Sequence, residues 1–141
     1  MTTLNLRRSN IGEEGRIAIG KNVTWKRLKY LWLSDNKMSD AGALSIASNT
    51  VWKRLRSLAL GNNNMSDAGG IAVGKSIAWN LQMLELCDNR IGWKTAISKE
   101  CNICWENTRI VELSSLKSLT VERKNAFRAL EPKKFYSFGD D

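Results

Sequence analysis

The sequence predicts an α/β solenoid, a stack of short strand-and-helix units, and three observations carry that prediction. Tryptophan recurs at Trp25, Trp52, Trp79 and Trp105, in steps of 27, 27 and 26 residues. A Leu-x-Leu pair keeps the same time at Leu4-x-Leu6, Leu31-x-Leu33, Leu58-x-Leu60 and Leu84-x-Leu86, with a weaker Val111-x-Leu113. Asparagine follows three residues behind the second leucine at Asn36, Asn63 and Asn89, with Ser9 in that column of the first unit. Self-similarity at a fixed period of this length marks one supersecondary unit stacked several times.

Each unit opens with its strand. Leucines two residues apart point to the same side of a strand, so both face inward and the residue between them faces out. Asparagine then turns the chain, because its amide donates and accepts and can satisfy backbone groups that a coil leaves unpaired. Ser39-Asp40 and Ser66-Asp67 read as a helix N-cap followed by a first-turn acid, both favourable at that end. The helix is expected to show Leu44 and Ala47, or Ile71 and Gly74, to the core. Asn22, Asn49 and Asn102, with Ser76 in the third unit, share a column at the helix end, where a left-handed C-cap is expected. The tryptophan comes three residues later and is expected to plug the return to the next strand. Trp79 stands seven residues before Leu86 where the others stand eight before theirs, so the short step is a one-residue deletion in the return segment.

The pattern Leu28-x-x-Leu31-x-Leu33-x-x-Asn36-x-Met38-x-x-x-Gly42-x-Leu44, repeated from Leu55 to Ile71, resembles the ribonuclease-inhibitor-like class of leucine-rich repeats. The resemblance covers roughly residues 4 to 113. It implies a right-handed solenoid in the form of a short horseshoe, with parallel strands on the concave face and helices on the convex face, used as a binding scaffold. Residues 1–115 are read as about four to five repeats of 26–27 residues. Residues 116–141 are read as an irregular cap or tail with a helix near 120–130, stopped by Pro132. The first strand at Leu4 has no comparable cover. The chain is therefore expected either to continue in a longer protein or to pair through that edge, since open edges are a liability.

Bulk properties narrow the function. A chain of 141 residues is one domain by length, and 43% hydrophobic residues can supply a core. No apolar run is long enough to span a membrane, and the N-terminus lacks the apolar stretch of a signal peptide. Three cysteines without a disulfide-scaffold spacing read as reduced thiols. The expected setting is intracellular, in the cytoplasm. The chain has no histidine, which removes the usual general base for a serine or cysteine nucleophile, so no catalytic residues, no enzyme activity and no cofactor are expected. Cys101-Asn-Ile-Cys104 lacks the further ligands that zinc needs, and no metal site is assigned. Gly69-Gly70-x-x-x-Gly74-Lys75-Ser76 has the spacing of a phosphate-binding loop but falls in the repeat's helix.

Two surfaces are candidates for binding. The outward strand column runs Asn5, Trp32, Ala59, Glu85 and Glu112, and with its flanks it gives a concave-face set of Tyr30, Trp32, Asp35, Asn62, Glu85 and Asp88. Tyrosine and tryptophan are the residue types that anchor protein interfaces, while the acids give the later part of this face a negative cast. The net charge of +8 collects elsewhere. Lys26, Arg27 and Lys29 follow Trp25, and Lys53, Arg54 and Arg56 follow Trp52, so stacking should align six cations in a ridge. The leading function is a non-enzymatic protein-interaction module, or part of a larger leucine-rich-repeat protein, that binds a partner protein on its concave face. An anionic partner such as RNA or DNA on the Lys26–Arg56 ridge is the alternative, although the ridge lacks the aromatic platform of single-strand binders. A third reading, regulation of a small GTPase, rests on analogy with one member of the class.

Overall fold

The computed structural model describes residues 1–76 and 78–91 and, beyond them, the backbone of two strands at 110–112 and 135–137. The elements alternate: β1 (Thr3–Asn5), α1 (Glu13–Gly20), β2 (Tyr30–Trp32), α2 (Ser39–Ala47), β3 (Ser57–Ala59), α3 (Asp67–Gly74), β4 (Met83–Glu85), β5 (Ile110–Glu112) and β6 (Phe135–Ser137). All six strands form one parallel sheet in sequence order. The register advances by one repeat at each step, with Leu4 beside Leu31, Leu58, Leu84 and Val111 in turn. Strand β6 lies inside the 116–141 segment read as a cap, while the helix expected near 120–130, Trp105, Asn102 and the Cys101/Cys104 pair fall outside the described residues.

The core sits between sheet and helices. Leu31, Leu33, Leu58, Leu60, Leu84 and Leu86 are all buried, each contributing roughly 1.5–3 kcal/mol by leaving water. Trp52 and Trp79 are buried and Trp25 half-buried, with the Trp25 and Trp52 rings stacked at 6.2 Å and 14°. The plug expected of these tryptophans is therefore present at the described returns.

The helix face differs from the expected one at Leu44. Leu44 is 59% exposed, while Gly42, Ala43 and Ile46 are buried in α2 and Gly69, Gly70, Val73 and Gly74 in α3. Of the four residues expected to face inward, Gly74 is buried and Ala47 and Ile71 pack half-buried against the core. The inward position is the one four residues after the repeat glycine, one helical turn on, which places Ile46 and Val73 against the sheet and rotates Leu44 outward. The helices stack closely enough that a side chain at Gly20 would meet the Ser45 carbonyl carbon and oxygen at 2.5 and 2.6 Å.

The asparagines hold the turns together. Asn63 is wholly buried, and its Oδ1 accepts from the N–H groups of Asn36 and Met38, both at 3.1 Å, in the preceding repeat. Its Nδ2 donates to the carbonyls of Leu33 at 2.9 Å and Gly61 at 3.2 Å. Asn89 repeats this for Asn63, Met65 and Leu60, and Asn36 for Ser9, Ile11 and Leu6. A ladder of amides thus takes up the backbone groups that the turns leave open.

Two capping expectations are corrected. Ser66 caps α3, accepting from the Ala68 N–H at 3.3 Å, but Ser39 does not cap α2: its backbone is left-handed at φ 56° and its N–H is given to the Asn63 carbonyl. Asp40 works forward instead, its carboxylate accepting from the Ser66 N–H (2.7 Å), the Ser66 hydroxyl (2.6 Å) and the Gly69 N–H (3.0 Å) of the next repeat. Nor do Asn22 and Asn49 adopt a left-handed C-cap. Asn22 Oδ1 accepts from the Thr24 and Trp25 N–H groups, and Asn49 Oδ1 from those of Val51 and Trp52, folding the return turn. Asn49 Nδ2 also donates back to the Gly20 and Asn22 carbonyls.

Candidate functional site on the strand face

The outward residues of β1 to β4 and the turn behind them make the strand face. Tyr30 and Trp32 project from the same side of β2, their rings 6.5 Å apart and tilted by 52°. Tyr30 is 41% exposed and Trp32 half-buried. In register, Ala59 lies between Trp32 and Glu85 and is only 1% exposed.

Glu85 is occupied within the chain. Its carboxylate receives Arg7 Nη2 at 2.9 and 3.1 Å and the Ser34 hydroxyl at 3.0 Å, and it is 9% exposed. Arg7, Ser34, Gly61 and Cys87 occupy one column of successive turns. Small residues at the two inner places let Glu85 lean back toward Arg7, and a side chain at Gly61 would sit 2.5 Å from Glu85 Oε1. This clasp spans four repeats, from the turn after β1 to β4, and the small residues Ser34 and Gly61 leave room for it.

Asp35, Asn62 and Asp88 share the next column with Arg8, and all four are left-handed, at φ 64°, 50°, 54° and 53° respectively. Asparagine and aspartate tolerate that conformation best among side chains other than glycine, so the backbone alone accounts for their residue type. Asn62 Nδ2 donates to Asp35 at 2.7 Å, and Arg8 Nε lies 3.4 Å from the same carboxylate, giving a polar row across three repeats. The hydrogen bond from Asn62 holds the Asp35 carboxyl below its ordinary range despite some desolvation, with Arg8 and Arg7 adding to the effect. Asp88 is exposed at the end of the row.

The six cations align as a second surface. Lys26, Arg27, Lys29, Lys53 and Arg54 are exposed, while Arg56 is half-buried and donates to the Asn80 carbonyl at 3.2 Å. None of the six has an acidic partner among the described residues. Among those residues, no cluster of three or more His, Cys, Asp or Glu could hold a metal ion, and no helix is long and apolar enough to cross a membrane. The Gly69 to Gly74 stretch is helical, and Cys87 is a half-buried thiol.

A family model described as "Leucine Rich repeat" matches residues 1–20, 28–47 and 54–74. No curated protein matches the sequence. Among solved structures, the fold is similar to that of leiomodin-1 actin-binding site 2, with a TM-score of 0.61 at 17% identity over 100% of this chain and 72% of that one. The matched segments begin at the register of β1, β2 and β3 and end with their helices, and the sheet carries the same strand-by-strand step onward. The chain carries leucine-rich repeats over the three matched segments and is folded as a leucine-rich-repeat solenoid.

Proposed function

We propose that this protein is a non-enzymatic interaction module whose strand face binds a partner protein, with Tyr30 and Trp32 as its anchor. The observation that carries the reading is the aromatic pair itself. It stands open on a face where Ala59, Ser57 and Glu85 are covered and the carboxylates of Glu85 and Asp35 are paired with Arg7 and Arg8. Large aromatic side chains contribute contact area at low entropic cost and dominate interface energetics. Asp35, Asn62 and Asp88 form a polar rim beside that centre, the arrangement of apolar core and hydrated edge that protein interfaces share.

The similar solved structure is titled an actin-binding site, which makes actin the first partner to assay, although at this identity the likeness speaks for the fold. Pull-down with the wild type, Trp32→Ala and Tyr30→Ala tests the reading. Loss of the same partner from both variants, with unfolding midpoints near that of the wild type, is the expected result. Identical partner lists would sink the strand-face assignment.

A further inference from the structure

We propose that the helix face carries a second docking site, for an acidic amphipathic helix of a partner protein. An open groove of about 540 Å³ runs between the outer sides of α1 and α2 and on to the return turn after α2. Ile17, Val23, Leu44 and Val51 give it an apolar floor. Val23 and Leu44 are 61% and 59% exposed, the most exposed large hydrophobic side chains among the described residues. Along α2 the lining residues are Ala41, Leu44, Ser45 and Ser48, at the i, i+3, i+4, i+7 spacing with which one helix presents a ridge to another. The small side chains of Ala41, Ser45 and Ser48 beside Leu44 permit the close approach that a helix needs.

Charge selects the occupant. Lys21 lies in the groove wall, and across Thr50 and Val51 the groove adjoins a hollow lined by Lys26, Lys53 and Arg54. No acidic residue lines either depression, and none of these four cations forms an ion pair among the described residues. A purely basic ridge suits any polyanion. A basic rim beside an apolar floor suits a ligand with both an apolar stripe and acids flanking it, which is an amphipathic helix rather than a nucleic-acid backbone. The two halves of the ridge thus acquire a common purpose with Leu44, which the repeat core leaves outside.

The test uses the full chain and a fluorescein-labelled helical peptide of about four turns, with leucines at helix spacing and glutamates flanking them. A scrambled peptide of identical composition and a single-stranded oligonucleotide of matched charge serve as comparisons, read by fluorescence anisotropy. The amphipathic peptide is expected to bind about tenfold or more tightly than the scrambled one, and both Leu44→Asp and the pair Lys53→Glu/Arg54→Glu should weaken it by a similar factor. Trp32→Ala should leave the affinity unchanged, which separates this site from the strand face. Leu44 is exposed, so its replacement leaves the core intact, and far-ultraviolet circular dichroism checks that. The proposal is overturned by no binding up to about 1 mM peptide, by equal binding of the scrambled peptide, or by an unchanged affinity in Leu44→Asp. An oligonucleotide that binds as tightly and displaces the peptide equally in wild type and Leu44→Asp would reassign the ridge to nucleic acid.

Discussion

Replacing Asn63 by alanine should be among the most damaging single changes in the described part of the chain. The side chain is wholly buried and forms four hydrogen bonds, two accepted from Asn36 and Met38 and two donated to Leu33 and Gly61. Alanine removes all four and strands the buried Asn36 and Met38 N–H groups, while the Leu33 and Gly61 carbonyls keep a bond each from Asn36 Nδ2 and the Asp35 N–H. At about 1 kcal/mol for each such bond, the loss is roughly 4 kcal/mol, a large part of the 5–15 kcal/mol that holds a typical domain together. Asn62→Ala is the matched control. That side chain is exposed, makes one hydrogen bond to Asp35, and sits at φ 50°, so its loss should cost about 1 kcal/mol. Urea unfolding followed by tryptophan fluorescence reads both, with Trp52 and Trp79 buried in the repeats concerned. If Asn63→Ala costs no more than its exposed neighbour, the ladder is decoration and its energetic role is refuted.

Further outcomes can be checked alongside it. Gly20→Ala would push a methyl group into the backbone of Ser45 and should lower the thermal midpoint by several degrees or more, whereas Gly12→Ala meets nothing within 4 Å and should leave it near the wild type. Arg7→Ala should cost on the order of 1 kcal/mol, discounted because the arginine is 46% exposed, and a double-mutant cycle with Glu85→Gln should recover most of that as coupling that fades in high salt. Burial raises the Asp40 carboxyl, but hydrogen bonds from the Ser66 hydroxyl and N–H and the Gly69 N–H, aided by Arg90, outweigh it and hold the group below the ordinary aspartate value. Its contribution is therefore present near neutral pH and lost as pH falls through the lowered folded value, below about pH 4. Asp40→Asn should accordingly flatten the acid limb of a stability-versus-pH curve, and an unchanged limb would exclude Asp40 as a source of it.

Most of the scaffold was legible because periodicity is a one-dimensional signal. Leu31, Leu33, Asn36 and Trp52 each recur at the repeat distance, and every one of them occupies the expected place in the coil. On the helix face only Leu44 departs from expectation: Leu44 and Ile46 are isomeric apolar side chains two positions apart, so their hydrophobicity does not tell which of them faces the core. Ile46, four residues after Gly42, carried the correct signal. The Arg7–Glu85 clasp was hidden for a different reason. Its partners are 78 positions apart, and no local pattern announces a contact that skips intervening repeats. Asp35, Asn62 and Asp88 look like a binding row in sequence, yet left-handed backbone explains their chemistry before any ligand does.

The amides of the turn also give the stack a direction in time. Asn36, Asn63 and Asn89 each reach back to the coil made before them. A newly synthesised turn therefore waits about one repeat for the amide that completes it, and the most recently made coil is always the unfinished one. An interruption between coils during synthesis would strand the backbone groups of the coil already made, while the later coil would bring its own asparagine with it. Growth from one end is thus chemically distinct from growth from the other, in a molecule whose repeats look interchangeable.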